Sequence, residues 1–217
     1  MKTLISIIVI NFNRGKYLER CLRSCTDQIV FNKNFEIIFV DDGSIDNSWK
    51  IAKKFISTIK IFKLKKNKGI PFASNFALKK SQGKFVIRVD SDDFLNKHAL
   101  DIMSDILIHN ERYAFVCCDH YKVDEIGYKE EKIKLNNLNK IKNHGAGIMF
   151  RKKILKEFNY FNLKMKEAED YDIISKILRK NYKYFYLPLP LYRYYQHDQN
   201  ISKSGLRKKF ISKIKNV

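Results

Sequence analysis

The sequence predicts an α/β fold in which a doubly wound, mostly parallel sheet is flanked by helices and followed by a smaller mixed portion. Strand and helix patterns alternate through the first 95 residues, which is typical of parallel β–α–β units. The predicted strands are short, continuous apolar runs, as expected for strands that helices cover on both faces. The 217 residues are 45% hydrophobic with only 8 Gly and 3 Pro, so a packed core is expected and disordered or collagen-like classes are excluded.

Four strands and three helices are predicted in the first half. Leu18, Cys21, Leu22 and Cys25 recur at helical spacing after the first strand. The third helix carries Pro71 near its first turn, a position where proline is favoured. The strands are expected at residues 4–10, 35–40, 59–64 and 85–89, and the helices at 17–25, 49–56 and 71–80.

The second half is predicted to add mixed elements to this sheet. A polar loop rich in lysine and asparagine is expected at residues 129–143. Pro188 and Pro190 separate two short strands near the end of the chain. Helices are expected at 99–107 and 168–178, and strands at 113–118, 147–150, 183–187 and 191–195.

The chain is strongly basic. Lys+Arg 43 against Asp+Glu 23 leaves a net charge of +20, which favours anionic partners such as nucleic acid, acidic lipid headgroups or nucleotide phosphates. Residues 203–217 form a basic tail with Leu206, Phe210, Ile214 and Val217 on one helical face. Such a helix suits either an acidic membrane surface or packing on the core with its basic residues solvated.

Targeting and cysteine patterns point to a reducing compartment. The apolar run at residues 4–10 lacks a small-residue cleavage site and is interpreted as a strand, and no run approaches the roughly 18 apolar residues of a spanning helix. A cytoplasmic protein, at most peripheral on a membrane, is expected. Cys21 with Cys25, and Cys117 with Cys118, make a poor disulfide framework; buried thiols are favoured, with zinc binding as the alternative.

Two acidic clusters follow predicted strands, where ligands bind in doubly wound sheets. Asp90 and Asp92 flank Ser91, so their side chains leave the strand on the same side and suit Mg²⁺ or Mn²⁺. The simpler alternative is that these residues, Asp93 included, cap the next helix. The run Asp41-Asp42-Gly43-Ser44 suits either a base or ribose contact or an ordinary turn.

Polar groups in the second half are ambiguous by themselves. Glu169, Asp170 and Asp172 crowd the start of a predicted helix, where the helix dipole alone favours acidic residues. His197 alone fits a surface or satisfied histidine at least as well as a ligand. The chain has neither a Gly-x-Gly-x-x-Gly turn after the first strand nor a Gly-Lys-Ser/Thr loop, which argues against dinucleotide-binding and P-loop classes.

Taken in order, these motifs resemble the family 2 glycosyltransferases of the GT-A fold over residues 3–202. The run ending in Asn11-Phe12-Asn13, Asp41-Asp42-Gly43-Ser44, Asn67-Lys68-Gly69, Asp90-Ser91-Asp92-Asp93 and Glu169-Asp170-Tyr171-Asp172 occur in the family's order and approximate spacing. The family often has Arg where Ser74 precedes Asn75, so base contacts there depart from the pattern.

The resemblance implies roles for particular residues. Asp170 matches the general base, and Asp92 with His197 the site of Mn²⁺ or Mg²⁺. The residues matched to nucleotide-sugar binding are Asn11, Asn13, Asp41, Asp42, Asn67, Gly69, Asp90 and Ser91. It further implies one domain over residues 1–202, with a nucleotide-binding half at 1–95 and an acceptor-side half at 96–202, followed by the tail at 203–217.

The implied activity is an inverting transfer of sugar from a nucleotide-sugar donor, expected to be UDP-linked, to a glycan or lipid-linked glycan in surface polysaccharide biosynthesis. Its expected partners are that donor and acceptor, with a peripheral contact to acidic membrane and no nucleic acid. Two alternatives stand beside it: a basic nucleic-acid-binding module, suggested by the charge of +20, and a GT-A subunit without turnover.

Overall fold

A mixed sheet lies at the centre of the protein in the computed structural model, which describes residues 4–143, 145–197, 200 and 204–215. Within those residues the strands are β1 Ile5–Asn11, β2 Phe35–Asp41, β3 Lys60–Lys63, β4 Phe85–Asp90, β5 Phe94–Leu95, β6 Tyr113–Val123, β7 Lys129–Ile133, β8 Ile148–Arg151 and β9 Lys183–Tyr195. The helices are α1 Gly15–Thr26, α2 Ser48–Lys53, α3 Ile70–Lys80, α4 Ala99–His109, α5 Leu138–Asn143, α6 Lys152–Glu157, α7 Glu169–Arg179 and α8 Gly205–Lys215.

The first half is the predicted parallel sheet. Its strands run in the order β3-β2-β1-β4, each parallel to its neighbour. Asn11 on β1 pairs with Asp41 on β2, and Ile10 pairs with Asp90 on β4. This register brings the polar residues that follow three strands to one edge of the sheet, at the carboxyl ends where ligands bind.

The second half extends the sheet with mixed pairing, as predicted. Strand β8 is antiparallel to both β4 and β6, β9 is parallel to β6, and β5 is antiparallel to β9. The prediction of a loop at 129–143 is wrong, because β7 forms a hairpin with β6 and α5 follows it. Four of the five β7 residues are exposed, so the alternation of apolar and polar residues that signals a strand is missing.

The sequence predicted that Pro188 and Pro190 separate two short strands. That prediction is wrong, because the structure has one continuous strand there. Strand β9 continues through both, because the pairing with β6 shifts register around Cys118 and Asp119, where Pro190 lies. At such an irregularity a residue without an N–H breaks no ladder hydrogen bond. Helix α2 ends at Lys53, earlier than predicted, and β5 and α6 were not predicted.

Apolar side chains form a core on each face of the sheet. On β1, Ile5, Ile7 and Val9 pack into one core with α1 and α4, while Ile8 and Ile10 pack into the other with α3 and α7. This alternation explains why the predicted strand is a continuous apolar run. All four cysteines are buried as free thiols, which confirms the prediction of buried, unbridged cysteines.

Helix α8, in the basic tail, packs on the rest of the protein. Ile214 is buried against Ala168 and Tyr171, and the guanidinium of Arg179 donates a hydrogen bond of 3.0 Å to the carbonyl oxygen of Ile214. The predicted apolar face is partly wrong, because Leu206 is 42% exposed and Arg207 is buried in its place. Val217 lies outside the described residues. No helix in the described part of the chain is long and apolar enough to span a membrane.

Candidate active site

A cavity of about 790 Å³ opens at the carboxyl ends of β1, β2 and β4. Eight of the residues matched to function line it: Asn13, Asp42, Asn67, Gly69, Asp90, Ser91, Asp92 and Asp170. The ends of the parallel strands and the loops that follow them carry the first seven, and the start of α7 carries Asp170. The cavity therefore unites polar groups from both halves of the chain.

Asp42, rather than Asp41, lines the cavity. The two oxygens of Asp42 accept hydrogen bonds from the backbone N–H groups of Lys68 (2.9 Å) and Gly69 (2.8 Å). Burial raises the pKa of the Asp42 carboxyl, and these two hydrogen bonds oppose the rise. At Gly69 the φ angle of 87° is one that glycine adopts without strain, so the chain can turn back toward Asp42.

Asn11 and Asp41 lie behind the cavity wall. The side-chain amide of Asn11 donates to Asp41 Oδ1 at 3.2 Å and to the hydroxyl of Ser44 at 3.1 Å. Ser44 also accepts the backbone N–H of Asn13 at 2.9 Å, which ties the two loops together. Asn11 and Asp41 thus support the loops that carry Asn13 and Asp42 into the cavity.

Asp92 and His197 come together although they are 105 residues apart. His197 Nε2 lies 3.0 Å from Asp92 Oδ2, and Arg14 Nε lies 3.4 Å from the same oxygen. The imidazole stacks on Tyr17 and Tyr195, with ring centroids 5.7 and 5.1 Å away. The aromatic contacts hold the imidazole beside the carboxylate. Asp92 lines the cavity, whereas His197 is not among the described residues that line it.

The chemistry of this pair fits a divalent cation that takes part of its coordination from a substrate. Among the described residues no group of three or more His, Cys, Asp or Glu is arranged to hold a metal ion. Asp92 and His197 provide one oxygen and one nitrogen donor. Mg²⁺ commonly binds through one or two protein ligands and completes its shell with water and phosphate oxygens.

Asp93 does not cap the following helix, the alternative considered from sequence. Its carboxylate accepts the backbone N–H of Tyr195 at 2.8 Å, and burial raises its pKa well above the ordinary value. The side-chain hydroxyl of Tyr192, on the same strand, accepts a hydrogen bond from the backbone N–H of Asp90 at 3.2 Å. These bonds fasten β9 to the loop that carries Asp90 and Asp92.

Two arginines pair with the acidic start of α7. Arg207 on α8 contacts Asp170 with both of its terminal nitrogens, at 3.0 and 3.1 Å. Arg88 on β4 lies 2.6 Å from Glu169 Oε1 and 3.2 Å from Asp90 Oδ1. Asp172 pairs instead with Lys176 one turn along the helix.

Burial and charge act in opposite directions on Glu169. Burial raises its pKa to about 7, while Arg88 opposes the rise by favouring the carboxylate. Arg88 and Arg207 were not predicted from the sequence. A charged residue inside the apolar run Phe85-Val-Ile-Arg-Val89 was a usable signal for Arg88, whereas nothing local distinguishes Arg207 from the other basic residues of the tail.

Replacing Arg88 with glutamine is expected to lower the free energy of unfolding at neutral pH by about 3–5 kcal/mol, because Glu169 is left buried without its partner. The loss should be smaller at pH 5 than at pH 8. The folded pKa of Glu169 lies above its unfolded value, so folding binds a proton and stability declines as the pH rises. Urea unfolding at the two pH values measures this.

The double variant Arg88→Gln, Glu169→Gln serves as the control for this prediction, since it removes both charges and should recover part of the lost stability. A single variant as stable as wild type at pH 8 would show that the pair contributes nothing.

A sequence model described as glycosyl transferase family 2 matches residues 6–180, most of the chain. The chain belongs to this family. Among relatives of this family 2 chain, hyaluronan synthase of Pasteurella multocida is 28% identical over 222 residues, covering 95% of the chain and 22% of that protein. Poly(ribitol-phosphate) beta-N-acetylglucosaminyltransferase TarS of Staphylococcus aureus is 39% identical over 98 residues, covering 44% of the chain. The chain spans only 17% of TarS.

Solved structures show that the family 2 chain has the GT-A fold. It superposes on S. aureus TarS 1–349 in complex with UDP-GlcNAc with a TM-score of 0.79 and 24% identity, covering 98% of the chain and 64% of that structure. It also resembles the mannosyltransferase PcManGT of Pyrobaculum calidifontis, in complex with GDP-Man and Mn²⁺, with a TM-score of 0.74 and 16% identity, covering 93% and 59%. The predicted fold class and family are confirmed.

Proposed function

We propose that this family 2 glycosyltransferase moves a sugar, with inversion, from a UDP-linked donor to a hydroxyl group of a glycan or lipid-linked glycan in surface polysaccharide biosynthesis. The observation that carries the proposal is one cavity that Asp42, Asp90, Asp92 and Asp170 all line. The first three carboxylates suit the binding of a nucleotide and its metal ion, and Asp170 suits removal of the proton from an acceptor hydroxyl group. The crystal structure of TarS with UDP-GlcNAc supports the choice of a UDP-linked donor.

The donor is expected to bind along the sheet edge. Asp42 and Asn67 line the part of the cavity next to β2, where carboxylate and amide groups can accept or donate hydrogen bonds to a base. Asp90 and Ser91 lie at the end of β4, between that region and Asp92, and suit the ribose and diphosphate. Asn13 and Gly69 shape the same wall.

Asp92 and His197 would hold a Mg²⁺ or Mn²⁺ ion, which would neutralise charge on the departing diphosphate. The structures of PcManGT with Mn²⁺ and of GalNAc-T7 with Mn²⁺ support a divalent cation in this fold.

Asp170 would act as the general base. The acceptor oxygen forms a bond to the anomeric carbon, and the bond from that carbon to the diphosphate oxygen breaks, its electron pair leaving with the nucleoside diphosphate. Asp170 takes the proton of the hydroxyl group. Attack opposite the leaving group inverts the anomeric centre, and no covalent sugar–protein intermediate is required.

A nucleotide-sugar panel tests the proposal. UDP-GlcNAc, UDP-GalNAc, UDP-glucose, GDP-mannose and other donors are incubated with Mn²⁺ or Mg²⁺ and released nucleotide is measured, while calorimetry measures binding of UDP and GDP with the metal and with EDTA. Metal-dependent UDP binding with nucleotide release supports a transferase. Binding without release under all acceptors would favour a subunit without turnover, and steep salt-dependent binding of oligonucleotides without UDP binding would favour the nucleic-acid alternative.

We further propose a peripheral contact between helix α8 and acidic membrane. Lys208, Lys209 and Lys213 are exposed on this helix. A cation near an acidic membrane surface contributes about 1 kcal/mol, so replacing all three with glutamine should weaken binding to acidic vesicles by roughly a hundredfold. Vesicle flotation at low salt measures the effect.

The matched control carries glutamine at three exposed lysines that are far from α8 in the sequence, Lys50, Lys65 and Lys79. Equal flotation of both triple variants would refute a specific role for α8 and would leave the transferase proposal untouched.

A further inference from the structure

Arg207, on helix α8, pairs with Asp170, the proposed general base, and makes further hydrogen bonds to the backbone. Arg207 Nη1 and Nη2 contact Asp170 Oδ1 and Oδ2 at 3.0 and 3.1 Å. The same guanidinium donates to the carbonyl oxygen of Asn143 at 3.0 Å and to that of Glu167. The side chains of Arg207 and Asp170 are each 9% exposed. A buried bidentate pair with this many hydrogen bonds is among the stronger contacts a carboxylate makes.

This pairing opposes the proposed role of Asp170. Each carboxylate oxygen already accepts a charge-assisted hydrogen bond from Arg207, and Oδ1 also accepts the backbone N–H of Tyr171. The backbone closes the carboxylate on another side: a Cβ atom added at Gly145 would lie 2.0 Å from Asp170 Oδ2. An acceptor hydroxyl can therefore reach a free Asp170 oxygen only if Arg207 moves away.

Moving Arg207 is costly unless another anion receives it, because a buried charge without its partner is strongly unfavourable. Glu169 does not offer that partner, because Arg88 holds it. Glu167 lines the cavity beside Arg207 and is in no ion pair of the described residues, so its carboxylate is the competing partner within the protein. An anionic group of the ligand would compete with Glu167 for Arg207.

Two lysines suited to such an anion directly precede the residues whose carbonyl oxygens Arg207 contacts, Glu167 and Asn143. Lys166 lines the cavity and is exposed, and no ion pair of the described residues includes it. Lys142, near the end of α5, lies over the ring of Tyr171 and likewise has no carboxylate partner among the described residues. Glu167 also lines this side of the cavity and is likewise in no ion pair of the described residues. Two lysines without a carboxylate partner therefore stand against one such carboxylate on this side.

We propose that the acceptor carries an anionic group, a phosphate or a carboxylate, near the hydroxyl that receives the sugar, and that this group takes Arg207 from Asp170. The anion thereby frees the base only when an acceptor is present. Without an acceptor, the pair between Arg207 and Asp170 remains and suppresses transfer of the donor sugar to water. The inference rests on the proposed function and names the chemical class of its acceptor.

The test compares three small hydroxyl compounds: glycerol, glycerol 3-phosphate and glycerate. Nucleotide release from the donor selected by the panel is measured at constant free metal and constant ionic strength. Both anions are expected to raise the rate of release by about tenfold over glycerol, the factor expected from releasing one charge-assisted hydrogen bond. Stimulation by glycerol 3-phosphate alone assigns the site to phosphate, and stimulation by both assigns it to either anion.

Variants separate the exchange of Arg207 from a structural role. Arg207→Gln should raise nucleotide release without any anion by about tenfold and should no longer respond to glycerol 3-phosphate. Adding Asp170→Asn to this variant should abolish the gain. Lys50→Gln, at an exposed basic residue on α2, is the control and should behave as wild type.

Lys166→Gln provides a second measurement if Arg207→Gln is poorly folded, because Lys166 is exposed. It should raise the half-stimulating concentration of glycerol 3-phosphate severalfold. Equal rates with glycerol and both anions in the wild-type protein, or an undiminished anion response in Arg207→Gln, would overturn the inference. Loss of UDP binding itself would instead overturn the proposed function.

Discussion

Asp170→Asn is expected to lower the rate of sugar transfer by about 10²–10⁴-fold, the usual contribution of a general base, while UDP binding stays near the wild-type level. Asparagine is nearly isosteric, so the pocket keeps its shape, but it has no negative charge and cannot take the acceptor proton. Asp170 lies on α7, whereas Asp42 and Asp92 follow strands β2 and β4, so donor binding should survive. Initial rates and calorimetry with UDP and Mn²⁺ measure the two effects.

Asp172→Asn is the matched control, because Asp172 lies on the same helical turn but pairs with Lys176 rather than with a group of the cavity. It should leave the rate of transfer nearly unchanged. A loss of UDP affinity in Asp170→Asn, or a larger rate loss in Asp172→Asn, would show that the base is assigned to the wrong carboxylate. Glu169→Gln completes the series, since Glu169 also lines the cavity.

Asp92→Ala is expected to abolish metal-dependent nucleotide binding while changing the melting temperature by only a few degrees. The side chain is 14% exposed at the tip of a strand, and its removal takes no volume from either core. It removes the carboxylate that His197 and Arg14 face, so a cation would keep only one protein ligand. Calorimetric titration of UDP with Mn²⁺ and with EDTA measures the loss.

Asp27→Ala is the control for Asp92→Ala, because Asp27 is an exposed carboxylate at the end of α1. It should bind UDP with wild-type affinity in the presence of Mn²⁺. A severe fall in the melting temperature of Asp92→Ala would indicate a structural role for this carboxylate, and unchanged Mn²⁺-dependent binding would contradict the proposed metal site.

Short motifs in sequence order predicted most of the candidate site. The motifs single out four carboxylates, each of them near the point where a strand ends or a helix begins, and the structure places all four on one cavity: Asp42, Asp90, Asp92 and Asp170. Within the pair Asp41-Asp42, however, the sequence left open which carboxylate lines the cavity. The turn at Gly43 decides it, with a φ angle of 80° and the Lys66–Asn67 backbone so close that a Cβ would clash.

The sequence could not predict which charged residues pair with each other when they lie far apart in the chain. Arg88 meets Glu169 across 81 positions, and Arg207 meets Asp170 across 37. Periodicity and spacing report which face of an element is apolar, but they carry no information about which charged side chain of another element lies opposite. In a chain with 43 basic residues, composition cannot single out two of them.

The sequence by itself determined the parallel half of the sheet, the two apolar cores and the order of the motifs, because continuous apolar runs and helical spacing are local properties of the chain. The tertiary structure alone decided that β9 passes through Pro188 and Pro190, that polar residues 129–133 form a strand, and that Arg207 pairs with Asp170. Each of these depends on a partner strand or helix that packing brings from elsewhere, and the free energy of such a contact exists only once both partners are in place.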